Sequence, residues 1–465
     1  MTLTKGLTHF IGIGGAGMSG IAKILLQLGV RVSGSDIKES DITKRLREMG
    51  AEISIGHDAK NIGEEVVTVV FSSAISEDNP EMMEAKRRGI EVLARAEMLA
   101  KVMARQDSIA VAGAHGKTTT TAMISLMLEV NSFDPTIIIG GDLKQIGSNA
   151  KLGIGKYLVA EADESDGSFL KLFPKIAVIT NIENDHLDYY RSVKNIVSAF
   201  ARFVEQLPAD GFAVICLDNR ELVKIKNKVK ANYVTYGIDT EEADYIARNL
   251  FFKGTQSSCE VFYQGKSLGA LALNVPGKHN ILNALAATAT GMKLGLTFDQ
   301  VVAGLKQFTG ARRRFEFIDE VDGITVYDDY AHHPTELQAT LSAAKTAGFQ
   351  RIIAIFQPHR YSRTKLLQFE FGDSFGNADL VVINEIYSAS ERPIPGVSAQ
   401  LIINAIRNSD SQKEVVYCKT EDDIVEFLFR EAKPGDLIIT MGAGNIRQTG
   451  IRFANEYRSS GGKER

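Results

Sequence analysis

Short apolar runs alternate with helical patterns along most of this chain. Residues 66–71, 109–112 and 351–356 are almost entirely apolar, which is typical of strands buried in a parallel sheet. Segments such as residues 81–88 and 335–347 have the spacing of amphipathic helices. Strands and helices in alternation predict an α/β protein with mostly parallel sheets.

The same alternation divides the chain into three parts. A length of 465 residues is that of about three domains of ordinary size. We predict a Rossmann-like N-terminal domain at residues 1–104, a central P-loop-type ATPase domain with a mostly parallel sheet at 105–310, and a Rossmann-like C-terminal domain at 311–465. A strand-rich excursion is expected within the central domain, at residues 239–273, and the tail from Ser459 is expected to be frayed.

The composition is that of a soluble globular protein. Hydrophobic residues make up 44% and charged residues 24%, and the net charge of −4 argues against a general nucleic-acid binder. No apolar run is long enough to span a membrane, and no signal peptide is recognisable. Cys216, Cys259 and Cys418 are too far apart to suggest a disulfide framework or a zinc motif. We therefore expect a cytoplasmic protein.

The first glycine-rich turn follows the predicted strand that begins near Thr8. Gly12, Gly14 and Gly17 fit the G-x-G-x-x-G pattern, and Asp36 ends the next strand about 20 residues further on. This is the complete dinucleotide-binding fingerprint, in which the acid holds a ribose. NAD is therefore a serious candidate ligand for this turn.

The second glycine-rich turn follows the strand at residues 109–112. Gly113 and Gly116 allow a sharp turn into a helix, where backbone N–H groups attract phosphate. Lys117 can reach the outer phosphates, and the Thr118 hydroxyl suits Mg²⁺. The spacing falls short of a full Walker A motif because Val111 occupies the position of its first glycine. The alternative is an ordinary strand-to-helix turn with a solvent-exposed lysine.

Two further strands end in polar residues that could complete a metal site. Residues 161–166 carry four carboxylates after one strand, and His186 follows the strand at 176–180. Because parallel strands place these residues at one edge, Thr118, Glu161 and His186 could share Mg²⁺. Alternatively, the carboxylates form a solvated turn, and His186 acts through a water molecule or lies at the surface. The chain is also rich in glycine near residues 140–142.

Later segments offer additional polar groups. Asn280 precedes an alanine-rich helix predicted at residues 281–294, where it could contact phosphate or simply cap the helix. Residues 311–316 form a basic cluster between two predicted domains. These features suit three functions: an ATP-dependent ligase acting on a nucleotide-linked substrate, a nicotinamide-dependent oxidoreductase, or a nucleotide-driven switch or motor. Lys117, Thr118, the carboxylates and His186 favour triphosphate chemistry.

Six segments resemble the Mur ligases in sequence and in order. They are residues 10–22, 113–119, 161–166, 277–280, 328–334 and 357–363. The resemblance implies that the first turn holds the UDP of a nucleotide sugar instead of NAD, and that the cofactors are ATP and Mg²⁺. It points to the branch that adds L-alanine to the carboxylate of UDP-N-acetylmuramate through an acyl phosphate, acting as a monomer or a homodimer.

The resemblance also implies residue roles. The catalytic residues would be Lys117, Glu161 and His186. The metal ligands would be Thr118, Glu161 and His186. Arg360 and Arg363 would hold the amino acid. The ATP-binding residues would be Gly113, Ala114, His115, Gly116, Lys117, Thr118, Thr119, Asn280, Arg313, Asp329, Tyr330 and His332. The UDP-sugar would contact Gly12, Gly14, Gly15, Ala16, Gly17, Met18, Ser19, Asp36, Ser72 and Ser73.

Three details refine the resemblance. Ala114 stands where the family usually has threonine, which we expect to alter little because Lys117 and Thr118 are retained. The rival within the family attaches a ready-made tripeptide to the same nucleotide sugar and usually has Asp-Asp-Phe where this chain has Asp328-Asp329-Tyr330. Residues 198–201, after His186, contain no lysine, so no carbamylated lysine is expected there.

Overall fold

A computed structural model of the chain describes residues 6–389 and 391–461. These residues form two compact units. The first comprises the described residues up to Arg248, with Glu260–Leu271 and Leu282–Phe308; the second comprises Asn249–Cys259, Ala272–Ile281 and the described residues from Thr309 onward. The described part of the predicted first domain and most of the predicted central domain thus lie in one unit, while two segments of the central domain lie in the other. The boundaries at residues 104 and 310 remain predictions.

The first sheet has five parallel strands in the order β3-β2-β1-β4-β5. Phe10 and Ile11 on its central strand are fully buried, as the apolar pattern predicted. The polar helix α2 and the half-exposed strand β3 were not predicted, because neither carries a continuous apolar face. The elements are β1 Leu7–Ile11, α1 Ala16–Gln27, β2 Val32–Asp36, α2 Asp41–Glu48, β3 Glu52–Ile55, β4 Val66–Phe71, α3 Pro80–Arg87, β5 Glu91–Ala94 and α4 Arg95–Met103.

The second sheet has ten strands in the order β15-β14-β13-β12-β11-β10-β6-β9-β7-β8. Strand β6 lies between β10 and β9 and is parallel to both. The elements are β6 Asp107–Ala112, α5 Lys117–Val130, β7 Thr136–Leu143, β8 Ser148–Lys151, β9 Tyr157–Glu161, β10 Ile176–Ile179, α6 Leu187–Tyr190, α7 Val193–Glu205, β11 Phe212–Cys216, α8 Arg220–Ile225, β12 Asn232–Gly237, β13 Tyr245–Lys253, β14 Gln256–Tyr263, β15 Lys266–Leu273, α9 Lys278–Lys293 and α10 Phe298–Lys306.

These elements settle one prediction for this region and locate its glycine-rich segment. Strands β13 to β15 confirm the strand-rich excursion at residues 239–273. The glycine-rich segment at residues 140–142 belongs to a strand, since Gly140 and Gly141 lie within β7. That strand pairs with β8 and shows an irregular register between Ile138 and Leu143, so the glycines accommodate a break in the ladder.

The third sheet has six strands in the order β16-β17-β21-β18-β19-β20, with β16 antiparallel to β17. Buried clusters cover both faces, one with Leu337 and Leu341 of α11 and the other with Phe453 of α16, which confirms the Rossmann-like prediction. The elements are β16 Glu316–Val321, β17 Ile324–Asp329, α11 Pro334–Thr346, β18 Arg351–Phe356, α12 Tyr361–Leu366, α13 Gln368–Gly372, β19 Leu380–Ile383, α14 Gln400–Ser409, β20 Glu414–Tyr417, α15 Glu421–Glu431, β21 Asp436–Met441 and α16 Arg447–Ser459.

Two further expectations concern the tail from Ser459 and membrane-spanning helices. Helix α16 runs to Ser459, and residues 462–465 of the predicted frayed tail lie outside the described residues. Among the described helices, none has both the length and the apolar composition that crossing a membrane requires.

Candidate active site

The second glycine-rich turn joins β6 to α5 and requires glycine at two positions. Gly113 has φ of +142° and Gly116 has φ of +82°, both in the region that favours glycine. A Cβ on Gly113 would lie 2.1 Å from the Thr180 hydroxyl oxygen, and one on Gly116 would lie 2.6 Å from Asn283 Oδ1. Helix α5 begins directly after Gly116, so its first N–H groups face the turn as predicted for a phosphate loop.

The end of β10 holds this turn in place. Asn181 accepts hydrogen bonds from Ala114 N on its carbonyl (3.2 Å) and from His115 N on Oδ1 (2.8 Å). The Thr180 hydroxyl donates to the His115 carbonyl at 2.6 Å. The loop is therefore preorganised by two side chains that the sequence analysis did not select.

Lys117 folds back over its own loop. Its ammonium group donates to the carbonyls of Gly113 (2.5 Å) and Ala114 (3.0 Å) and lies 2.9 Å from Glu164 Oε1. Burial by itself lowers the pKa of Lys117, but nearby carboxylates, Glu164 above all, raise it beyond its ordinary value. The alternative of a solvent-exposed lysine is wrong, because only 18% of the side chain is exposed.

Glu164 links Lys117 to His186. Its carboxylate is buried, and Oε1 lies 3.6 Å from His186 Nε2, while Oε2 accepts no hydrogen bond from the described residues. Burial lowers the pKa of His186, but the carboxylates of Glu164 and Asp185 outweigh it and raise that pKa. Sequence reasoning had noted the carboxylate cluster at residues 161–166 but chose Glu161 and missed Glu164.

Glu161 and Thr118 both lie beside the glycine pair of β7. Gly140 N donates to Glu161 Oε1 at 2.9 Å, and a Cβ on Gly141 would lie 3.8 Å from Thr118 Cγ2. Glu161 also pairs with Val111 in the sheet register, two residues before the loop begins. The hydroxyl of Thr118 and the carboxylate of Glu161 are oxygen donors of the kind that Mg²⁺ takes, whereas the imidazole of His186 is an unusual Mg²⁺ ligand.

The first glycine-rich turn joins β1 to α1, which begins at Ala16. Gly14 N donates to Asp36 Oδ2 at 2.9 Å, so the predicted acid does reach the turn. A Cβ on Gly12 would lie 3.7 Å from Ser72 Cβ, which places the end of β4 beside the same turn. Met18 and Ser19 are buried in the first turns of α1, and Ser73 follows Ser72 after β4. Gly15 and Gly17 flank Ala16 at the helix start.

In the second unit, Arg313 lies among polar groups at the carboxyl ends of β17 and β21. Its Nε lies 3.1 Å from Asp328 Oδ2, and its Nη2 donates to the Gly442 carbonyl at 2.7 Å. The guanidinium carbon lies 4.8 Å from the centre of the Tyr330 ring, a cation–π contact. Arg313 and Tyr330, both assigned to the nucleotide by the resemblance, thus contact each other, and their contact with a nucleotide stays a prediction.

Asp329 is buried and both of its oxygens accept backbone hydrogen bonds. Phe315 N donates to Oδ2 at 2.7 Å and Ala331 N donates to Oδ1 at 2.8 Å. Burial raises the pKa of Asp329 to about 6 against these hydrogen bonds and the charge of Arg314. In the structure Asp329 stabilises the loop after β17 through these hydrogen bonds. His332 belongs to the same loop, and its Nδ1 lies 3.0 Å from the Tyr330 carbonyl oxygen.

The two arginines assigned to the amino acid stand at the start of α12. Arg360 directly precedes the helix, and Nη1 of Arg363 lies 3.2 Å from His359 Nδ1. The His359 ring stacks on Tyr387 with 5.7 Å between ring centres.

The alternative of Asn280 as a helix cap is wrong. Asn280 is the third residue of α9, and its Nδ2 donates to the Pro276 carbonyl at 2.7 Å.

Three family matches cover most of the chain. Residues 7–107 match "Mur ligase family, catalytic domain", residues 111–291 match "Mur ligase middle domain", and residues 313–444 match "Mur ligase, glutamate ligase domain". The chain is also similar to the UDP-N-acetylmuramate--L-alanine ligase of Desulforamulus reducens, with 55% identity over 94% of this chain and 95% of that protein. The protein of the same name from Pelotomaculum thermopropionicum is 53% identical over 97% and 98% of the two chains.

Solved structures show the same relationship. A UDP-N-acetylmuramate-alanine ligase from Thermotoga maritima superposes with a TM-score of 0.83 at 30% identity, covering 98% of this chain and 100% of that chain. A murein peptide ligase from Psychrobacter arcticus superposes with a TM-score of 0.72 at 26% identity, covering 97% and 99%. On the strength of the full-length similarity, this chain belongs to the Mur ligase family.

Proposed function

We propose that this protein joins L-alanine to the carboxylate of UDP-N-acetylmuramate, using ATP and releasing ADP and phosphate, in peptidoglycan synthesis. The observation that carries the proposal is the 48–55% identity, over nearly the whole chain, to relatives named UDP-N-acetylmuramate--L-alanine ligase. The phosphate loop with its buried lysine gives this activity a physical basis.

The reaction has to convert an unreactive carboxylate into an acylating agent. A carboxylate oxygen of the muramyl group attacks the γ-phosphorus of ATP, the bond to the β-phosphate breaks, and an acyl phosphate and ADP form. The neutral amine of alanine then attacks the acyl carbon and forms a tetrahedral intermediate. The nitrogen gives up one proton, and phosphate leaves as hydrogen phosphate with the oxygen that came from the muramyl carboxylate. Two anions must approach each other in the first step, so cations near the phosphates dominate catalysis.

Lys117 would supply the protein's own cation for that step. In the structure its ammonium forms an ion pair with Glu164 and donates hydrogen bonds to loop carbonyls. When ATP binds, its phosphate oxygens would replace these groups as partners of the ammonium. The backbone N–H groups of residues 113–119 would form the rest of the phosphate site. Glu164 would then remain next to His186 and continue to hold that imidazole in place.

Mg²⁺ would be held by Thr118 and Glu161, with His186 as a further ligand or as a partner of metal-bound water. When bound, the ion supplies positive charge that offsets the negative charge of the phosphates. The proposal rests on the placement of Thr118 and Glu161 beside the same glycine pair.

The other substrate contacts are assigned according to the predicted domains. The UDP portion would lie on the turn that joins β1 to α1, with Asp36 and Ser72 at its sides. Asn280, Arg313, Asp329, Tyr330 and His332 would contact the nucleotide. Arg360 and Arg363 would bind the carboxylate of alanine, for which a guanidinium fork is suited.

A substrate panel tests the proposal. ADP release is measured with ATP, Mg²⁺ and UDP-N-acetylmuramate, adding in turn L-alanine, glycine, L-serine or the tripeptide used by murein peptide ligases. We expect release only when an amine is present, and the highest kcat/KM with L-alanine. Preference for the tripeptide, or ADP release that ignores the nucleotide sugar, would overturn the proposal.

A further inference from the structure

Arg95 lies against the first glycine-rich turn. It is the first residue of α4 and directly follows β5, so it stands at the same sheet edge as the ends of β1 and β4. A Cβ on Gly17 would lie 3.0 Å from both Cδ and Nη1 of Arg95. The missing side chain at Gly17 therefore gives the arginine its place at the start of α1.

Asp163 holds the other end of this guanidinium. Arg95 Nη2 donates to Asp163 Oδ2 at 2.9 Å, and only 19% of the arginine side chain is exposed. Asp163 lies in the run that begins with Glu161, so the pair connects the first turn with the loop of Lys117.

A cation at this turn would offset the negative charge of the proposed ligand. The turn carries the negative charge of Asp36 on Gly14, whereas a diphosphate brings further negative charge to the N–H groups of α1. A planar guanidinium held in a fixed position can bind phosphate oxygens through two parallel hydrogen bonds.

We propose that Arg95 binds the diphosphate of the nucleotide sugar and that Asp163 is the positioning residue that holds it there. This inference rests on the proposed function, since it takes a UDP-linked sugar as the ligand of the turn. It commits to the diphosphate instead of the muramyl carboxylate, because the guanidinium lies over Gly17, in the first turn of α1.

Binding titrations with four ligands test this assignment on the full chain. Uridine lacks phosphate, UDP has the diphosphate alone, UDP-N-acetylglucosamine adds a sugar without the carboxylate, and UDP-N-acetylmuramate has every group. For Arg95→Ala we expect about a tenfold to hundredfold weaker Kd for the three diphosphates and an unchanged Kd for uridine, measured by competition. Arg95→Lys should recover part of the loss, and Asp163→Asn should show the same ligand pattern with a smaller loss.

The controls separate binding from folding. Arg87→Ala removes an exposed ion pair with Glu84 on α3 and should leave every Kd unchanged. Affinity for a non-hydrolysable ATP analogue should change far less in Arg95→Ala than affinity for UDP, because the Arg95 guanidinium lies against Gly17 of α1 and is held from the ATP loop only through Asp163.

Three results would overturn the inference. They are an unchanged Kd for UDP in Arg95→Ala, a loss confined to UDP-N-acetylmuramate, and an equal loss for uridine and the ATP analogue. If the unsubstituted protein binds none of the UDP ligands, the proposed function itself fails, and this inference fails with it.

Discussion

Buried carboxylates in this protein are held by side chains from distant parts of the sequence. Glu164 meets Lys117 and His186, and Glu81 on α3 is fully buried among His9, Ser35 and Asn61. Lys117 could be chosen from its place after two glycines, whereas nothing in the sequence separates Glu164 from Glu161. Their difference comes from how the chain continues after β9, which a local pattern does not specify.

Glu81→Gln should destabilise the protein by roughly 1–3 kcal/mol at neutral pH, because a carboxylate that accepts several hydrogen bonds is replaced by a group that also donates. Burial by itself raises the pKa of Glu81, but His9, Ser35 and Asn61 outweigh it and lower that pKa to about 2 from an ordinary 4.5. The stabilisation is therefore present above pH 4.5 and lost as the pH falls towards 2.

Thermal unfolding of the natural protein and of Glu81→Gln at a series of pH values checks this prediction. The difference in stability should narrow below pH 4.5. Glu84→Gln, on the same helix but in an exposed pair with Arg87, is the control and should have little effect. A difference that stays constant down to pH 2 would contradict the role assigned to the ionised carboxylate.

Lys117→Ala should abolish turnover, lowering kcat by about a hundredfold or more, because the loop loses its cation for the developing phosphate charge. The Kd for UDP-N-acetylmuramate should stay nearly unchanged, since the first glycine-rich turn is a separate site. Isothermal titration and ADP release measure the two effects. Lys101→Ala on α4, which removes an ion pair with Glu91 of β5, serves as the control. A loss of nucleotide-sugar affinity in Lys117→Ala as large as the loss of turnover would contradict two separate sites.

Elements with a continuous apolar run could be predicted closely. The strands predicted at residues 66–71 and 351–356 coincide with β4 and β18. Helix α2 and strand β3 were missed because their polar and apolar residues are mixed. The loop after β6 was recognised from its glycines. The residues that make those glycines necessary are Thr180, directly after β10, and Asn283 on α9.

Gly113→Ala tests this account of the loop. A Cβ there would meet the Thr180 hydroxyl oxygen at 2.1 Å, on a backbone with φ of +142°, so the loop has to shift. We expect at least about a tenfold weaker Kd for an ATP analogue, together with a lower Tm. Gly63→Ala, where a Cβ meets nothing within 4 Å, should leave both unchanged. An unaltered ATP affinity in Gly113→Ala would mean that the loop is not the nucleotide site.

At the scale of the whole molecule, the sequence predicted three α/β sheets in the correct order. It did not predict the two compact units, because the contacts that define them join residues far apart in the chain. The sites proposed for the nucleotide sugar and for the phosphates of ATP lie in the first unit, and the arginines proposed for alanine lie in the second.

Arg363→Lys should therefore change the KM for alanine far more than the KM values for the other two substrates. Lysine keeps the charge but loses the fork, so the KM for alanine should rise about tenfold to hundredfold. The KM values for ATP and the nucleotide sugar should change far less. Steady-state kinetics with each substrate varied in turn gives the answer, with Lys365→Arg on the same helix as a control of side-chain type. If the constants for ATP and alanine rise together, Arg363 does not serve alanine alone.

The central claim is that a carboxylate of the nucleotide sugar is activated by the γ-phosphate of ATP. It is tested most directly with UDP-N-acetylmuramate whose carboxylate carries ¹⁸O, incubated with ATP, Mg²⁺ and L-alanine. The acyl-phosphate route transfers one labelled oxygen into each phosphate released, in step with amide product, and mass spectrometry of the phosphate should show this. Unlabelled phosphate, or label appearing in AMP, would contradict the account.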